Sequence, residues 1–205
     1  ATSILQTADG GASNISDILA RMKSLASESA SGTVADSSRA YINSEFTQLK
    51  GEIDSIATGT RYSSQSLLDG SSVFSSGVAV LVGSTSADTI TITLTNLTAS
   101  SLGVTSLDVS TLSAATSAMS ALDSAIDSVS SARAEIGAQE SRFNFSADSI
   151  STQTQNLQSA NSAIKDVDIA AEQATLSSAE VKTQAAVSAE TAANQMPQYL
   201  LKLLG

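Results

Sequence analysis

The chain has 205 residues, with 10 Lys and Arg against 20 Asp and Glu, so it has room for one or two domains and carries a formal charge of −10, which argues against nucleic-acid binding by phosphate neutralisation. It contains no cysteine and no histidine, which removes disulfides, thiol nucleophiles, Cys- or His-ligated zinc and the usual catalytic triads. Hydrophobic residues make up 41% of the chain but aromatic ones only 3%, so the apolar volume is aliphatic, and no apolar run reaches the roughly 18 residues of a membrane span.

The opening ATSILQTADGG lacks the basic and apolar regions of a signal peptide. A single proline favours long uninterrupted helices, because proline costs about 3 kcal/mol in a helix interior. Ile4, Ala8, Gly11, Ile15, Ile18, Met22 and Leu25 alternate by four and three, which predicts a helix over about 3–30 with one stripe facing a partner. Ser31-Gly32-Thr33 interrupts it. Ile42, Phe46, Leu49, Ile53 and Ile56 then predict a second helix over about 36–57, antiparallel to the first across a short connection.

Between Gly59 and Leu112 the period changes to two: Val78, Val80 and Val82 alternate, as do Ile90, Ile92 and Leu94, with a turn-rich GSTSAD between them. This predicts a β-hairpin over about 77–95, whose apolar side must pack on helices or a neighbour because an isolated hairpin is marginal. From Ser113, apolar residues recur every seventh position at Leu122, Val129, Ile136, Phe143, Ile150, Leu157 and Ile164, while the companions Met119, Ile126, Arg133, Glu140, Ala147, Thr154 and Asn161 turn polar. The implied helix, about 113–164, is a rod of about 75 Å. The seam from Phe143 to Ile164 is expected to lack a cover within this chain, most of all toward Ile150–Ile164.

After Lys165 an Ala-, Ser-, Thr- and Gln-rich helix buries little area, Pro197 is expected to stop it, and YLLKLLG forms a short apolar patch. The fold class is therefore mainly α: an elongated antiparallel helical rod with a small β-hairpin, divided into a rod over 1–164 and a terminal segment over 165–205.

ESRFNF (Glu140 to Phe145), the stretch Asp166-Val167-Asp168-Ile169-Ala170 and the ending ANQMPQYLLKLLG resemble bacterial flagellin, whose pattern has an Asn-Arg-Phe-Asn element, an acidic Asp-x-Asp-x-Ala stretch and an ending close to Ala-Asn-Gln-Val-Pro-Gln-x-Leu-Leu. ILQTADGGASNISDILARMKSLA and EFTQLKGEIDSIA resemble two flagellin rod helices, and VGSTSADTITITL the family's small hairpin. Flagellins begin with a longer opening stretch and often carry a large variable insert. The resemblance thus implies a fragment of a minimal flagellin, without part of the opening helix that pairs with the C-terminal one.

The resemblance implies a structural subunit of the bacterial flagellar filament, exported through the flagellar channel to the exterior, with no catalytic residue, cofactor or metal. Its partners would be other flagellin subunits and a flagellin export chaperone, for which Leu200, Leu201, Leu203 and Leu204 are the apolar contacts. In flagellins recognised by Toll-like receptor 5, an Arg, a Leu and a downstream Glu carry the contact; the matching residues are Arg21, Leu25 and Glu45, with Leu25 taken as partly exposed. Core packing, a solvated cation and a solvated acid are the plainer roles for these three. Asp166 and Asp168 read as a solvated turn more readily than as metal ligands, and the Asn-x-Ser/Thr triplets at Asn14, Asn96 and Asn144 as chance. Hydroxyls between Ser84 and Ser106 are candidate sites for O-linked glycans. The alternatives are a hook-filament junction protein and a flagellin-like surface protein that binds polysaccharide or a receptor.

Overall fold

The computed structural model describes residues 1–83 and 85–204, with the side chains of residues 166–168 outside the description. The chain divides into two units, Ala1–Ser149 and Ile150–Gly205. The first holds α1 (Thr2–Ser29), α2 (Asp36–Gly59), β1 (Arg61–Tyr62), β2 (Gln65–Ser66), a 3-10 turn at Val73–Ser75, β3 (Val78–Leu81), β4 (Thr89–Ile92) and the part of α3 (Leu112–Leu204) that ends at Ser149.

Side-chain ties run in opposite order along neighbouring helices, so α1 is antiparallel to both α2 and α3. Arg21 meets Glu45 and Arg39 reaches Ser29, while Gln6, Asp9 and Lys23 meet Glu140, Arg133 and Asp123. The buried residues of α1 include Leu5, Ala8, Ala12, Ile15, Leu19, Met22 and Ala26, which alternate by three and four. Gly11 and Leu25 are buried as well, but Ile4 and Ile18 of the expected stripe lie at its margin. The buried sector is wider than one stripe and rotated from it because α1 is flanked by two helices.

On α3 the seam residues Leu122, Val129, Ile136 and Phe143 are buried, joined by Ala115, Ala118, Ala125 and Ala132, whose small side chains let the helices approach. Two companion positions are polar because they tie α3 to α1: Arg133 Nε donates to Asp9 Oδ1 at 2.8 Å, and Glu140 Oε1 accepts from Gln6 Nε2 at 3.1 Å. Phe143, expected to be uncovered, is only 7% exposed. The hairpin supplies the cover: Gln139 holds both backbone groups of Thr93 at 3.0 and 2.9 Å, and Ser146 Oγ donates to the Val82 carbonyl at 3.5 Å, on either side of Phe143.

β3 and β4 pair antiparallel, with Val78 opposite Ile92 and Val80 opposite Ile90, and this face packs on the core. The smaller β1–β2 hairpin was not expected. Its turn places Ser63 and Ser64 at φ 49° and 70°, in the left-handed region where hairpins ordinarily use Asn and Gly, so the usual turn signal is missing. Residues 94–111 have no regular structure, yet Leu94, Leu97, Ala99, Leu102, Val104 and Val109 are buried. Polar side chains of α2 satisfy the backbone there: Asp54 accepts from the Ala99 N–H and Asn43 from the Val109 N–H, and Lys50 Nζ donates to the Thr105 and Leu107 carbonyls.

The second unit is helical, with its described side chains exposed. Pro197 does not end the helix, which continues to Leu204. Proline frees the carbonyl four residues earlier, that of Ala193, and in an exposed helix water can satisfy that group. Among the described residues no helix is long and apolar enough to cross a membrane.

Candidate assembly and recognition surfaces

Arg21 and Glu45 face each other across the α1–α2 pair, with Arg21 Nε and Nη2 donating to Glu45 Oε1 at 2.9 and 2.7 Å. Both side chains are about half exposed, at 54% and 46%, so the pair is open to a partner and contributes little to stability by itself. Leu25 is only 2% exposed and belongs to the core, which corrects the expectation of a partly exposed apolar residue. One helical turn separates Arg21 from Leu25, but α1 is covered over so wide a sector that the turn carries Leu25 inside.

Arg39 fixes the geometry of this pair of helices, and the sequence reading missed it. It is 6% exposed and donates to the Ser29 and Ser31 carbonyls, each at 2.9 Å, and to Asp36 Oδ1 at 2.7 Å. The guanidinium thus caps the C-terminal end of α1 from the first turns of α2. The available signal was an arginine three residues after an aspartate, just beyond a turn.

Several other polar groups of the first unit serve as anchors. Burial pushes the Asp69 carboxyl up, but hydrogen bonds from the Ser71 N–H and hydroxyl and from Ser66 outweigh it and leave the group below its ordinary range. Hydrogen bonds from the Ser110 hydroxyl and N–H, aided by the Lys50 charge, hold Asp108 below its ordinary range too. The hydrogen bond to Asp9 raises the Arg133 guanidinium. These groups are fixed in their charged forms at neutral pH, the opposite of what a proton-transfer residue needs. A hollow of about 260 Å³ beside Asp69 is lined by Arg61, Gln65 and serines. Among the described residues no group of three or more acidic side chains could hold a metal. The Asp166 and Asp168 side chains and Ser84, the first of the candidate glycan hydroxyls, lie outside the described residues. Asn96 is occupied locally, accepting from the N–H and hydroxyl of Thr98.

The second unit presents the opposite character. Ile150, Leu157 and Ile164 continue the seam of α3 with 42%, 71% and 64% of their surface exposed. Leu200, Leu201, Leu203 and Leu204 follow at 62–88%. A helix of small residues that leaves its large aliphatic side chains in water is shaped for burial against another chain.

Residues 1–73 match the bacterial flagellin N-terminal helical region, and residues 119–204 match the C-terminal helical region. A flagellin of Halalkalibacterium halodurans is 33% identical over 204 residues, covering 98% of this chain and 74% of the relative. The chain belongs to the bacterial flagellin family. A flagellin of Listeria monocytogenes is 32% identical and a flagellar filament core protein of Treponema maltophilum 31%, each covering 98% of this chain and 75% of the relative. The crystal structure of Bacillus cereus flagellin superposes with a TM-score of 0.65 at 29% identity, covering 78% of this chain and 90% of that one. As a flagellin, the chain is a structural subunit of the extracellular flagellar filament, assembling with other flagellin subunits, and not an enzyme. The two matched regions leave residues 74–118 between them, and that interval holds the β3–β4 hairpin that covers Phe143.

Proposed function

We propose that the first unit is the self-supporting module of the subunit and the second is its assembly surface, covered in the filament by neighbouring flagellin chains. The observation that carries this is the change of environment along one helix: the seam of α3 is buried at Phe143 and exposed from Ile150 onward. Residues 150–164 continue the seven-residue repeat, so they act with the rod over 1–164 once a neighbour covers them, and the segment from 165 supplies the remaining inter-subunit packing. Before assembly, an export chaperone takes Leu200, Leu201, Leu203 and Leu204, which would otherwise expose a continuous apolar end. Sedimentation velocity over a range of concentrations tests the assembly surface. Concentration-dependent association that is lost in the double variant Leu157→Asp, Ile164→Asp is expected; a wild-type chain that stays monomeric throughout contradicts it.

The same reading assigns recognition by Toll-like receptor 5 to the α1–α2 face, with Arg21 and Glu45 as contacts and Leu25 holding the helix beneath them. Truncating a true hot spot costs about 2 kcal/mol or more, roughly thirtyfold in affinity. Arg21→Ala and Glu45→Ala are expected to weaken binding to the receptor ectodomain by about that factor. Leu25→Ala acts through packing, so its effect on binding is expected to track lost helicity. Unchanged affinity in the Arg21 and Glu45 variants, with helicity intact, assigns the pair to the solvated surface.

A further inference from the structure

We propose that the hollow beside Asp69 binds a neutral sugar ring, a role additional to filament building and independent of the assembly reading above. It lies wholly within the first unit and is lined by residues of the segment 61–73. Its volume of about 260 Å³ lies just under the roughly 300–1,000 Å³ of sites for drug-sized ligands, which suits a single ring.

Three irregularities meet there. Ser72 lines the hollow, and its buried hydroxyl has no hydrogen-bond partner among the described residues, a state that is unfavourable until something supplies one. Ser64, also in the lining, has a φ of 70° and follows Ser63 at 49°, a left-handed pair that serine rarely adopts and that ligand-holding loops often contain. Two opposite charges line the hollow, and each is anchored by a neighbour other than its opposite. Arg61 Nε donates to the Thr58 carbonyl at 2.9 Å, which leaves both Nη groups without a partner among the described residues. The Asp69 carboxylate accepts from the Ser71 N–H at 2.9 Å and from the Ser71 hydroxyl at 2.8 Å.

These features select the chemistry of the ligand. A free anion would meet the Asp69 carboxylate and a free cation the Arg61 guanidinium, so net charge of either sign is disfavoured. A sugar hydroxyl both donates and accepts. Neighbouring hydroxyls of one ring can therefore donate to Asp69, accept from the Arg61 Nη groups and pair with Ser72 Oγ. Gln65 adds a donor and an acceptor, and Val73, 55% exposed, offers an apolar surface to the C–H face of the ring. A zwitterion such as glycine would answer the two charges and leave Ser72 and Gln65 unanswered.

The test titrates the isotopically labelled full chain with glucose, galactose and mannose in turn, and with glycine and acetate for comparison, while amide shifts are followed by NMR. Saturable shifts of Gln65, Ser71 and Ser72 are expected with at least one sugar, at a dissociation constant on the order of 1 mM. Arg61→Ala is expected to weaken binding by about tenfold or more. Ser72→Ala separates binding from folding: affinity is expected to fall about three- to tenfold while the denaturant midpoint holds or rises, because an unpaired hydroxyl has been removed. Glycine or acetate binding as tightly as any sugar overturns the assignment of the ligand. No saturable shift with any of these sugars up to about 100 mM, or unchanged affinity in Arg61→Ala or in Ser72→Ala, overturns the site itself. Filament assembly is untouched by either failure.

Discussion

Adjacent glycines in α1 separate two effects that a composition count would merge. A Cβ on Gly10 meets nothing within 4 Å, whereas one on Gly11 would lie 2.4 Å from Thr60 Oγ1 and 2.9 Å from Leu68 Cδ1. Gly10→Ala is therefore expected to raise stability by about 0.5–1 kcal/mol through helix propensity, and Gly11→Ala to lower it by about 1–3 kcal/mol through overpacking. Denaturant midpoints of the two variants measure both signs. Arg39→Ala would leave the Ser29 and Ser31 carbonyls without their charged donor and is expected to cost about 2 kcal/mol in the same assay. Asp69 and Asp108 contribute to the acid response. Their folded values lie below the ordinary one, so their contribution is complete above the unfolded value of about 3.9 and is lost as the pH falls through the depressed folded values. Thermal melts should show stability falling below about pH 4, with a shallower slope in the double variant Asp69→Asn, Asp108→Asn. At this scale the helical periods gave the antiparallel pair of helices, while Arg21 and Glu45 were singled out together only through the resemblance to flagellins. The four-three stripe already put Leu25 on the side of α1 that faces a partner, as its burial bears out, and only the receptor comparison suggested partial exposure; that Arg39 reaches back to cap α1 was not legible, because it depends on a contact between two helices.

Elements with a strong period were legible and those fixed by long-range contacts were not. The two helices of the α1–α2 pair, the β3–β4 hairpin and the start of α3 follow from the spacing of their apolar residues. The β1–β2 turn escaped because serines occupy its left-handed positions. The continuation past Pro197 escaped because a proline near the exposed end of a helix frees a carbonyl that solvent can reach. The cover over Phe143 escaped because it depends on Gln139 gripping the backbone of Thr93, a tie across 46 residues of chain. Gln139→Ala should loosen the hairpin and leave the α1–α2 pair intact. Hydrogen exchange is expected to show lower protection across β4 and around Phe143, with α2 amides unchanged; equal protection in the variant would mean that apolar packing alone seats the hairpin.

The whole molecule has two units of opposite character. The first closes a core from Leu5 to Phe143, and the second leaves Ile150, Leu157, Ile164 and the terminal leucines in water. Each large side chain left exposed forfeits about 1.5–3 kcal/mol that burial would supply, so another copy is expected to cover this surface when concentration permits. Hydrogen–deuterium exchange of the full chain at low and high protein concentration tests this most directly. Amides of α1, α2 and α3 up to Ser149 are expected to be protected at both concentrations, and those of residues 150–204 to become protected only at the higher one. Equal exchange of residues 150–204 at the two concentrations, whether protected or open, would contradict it.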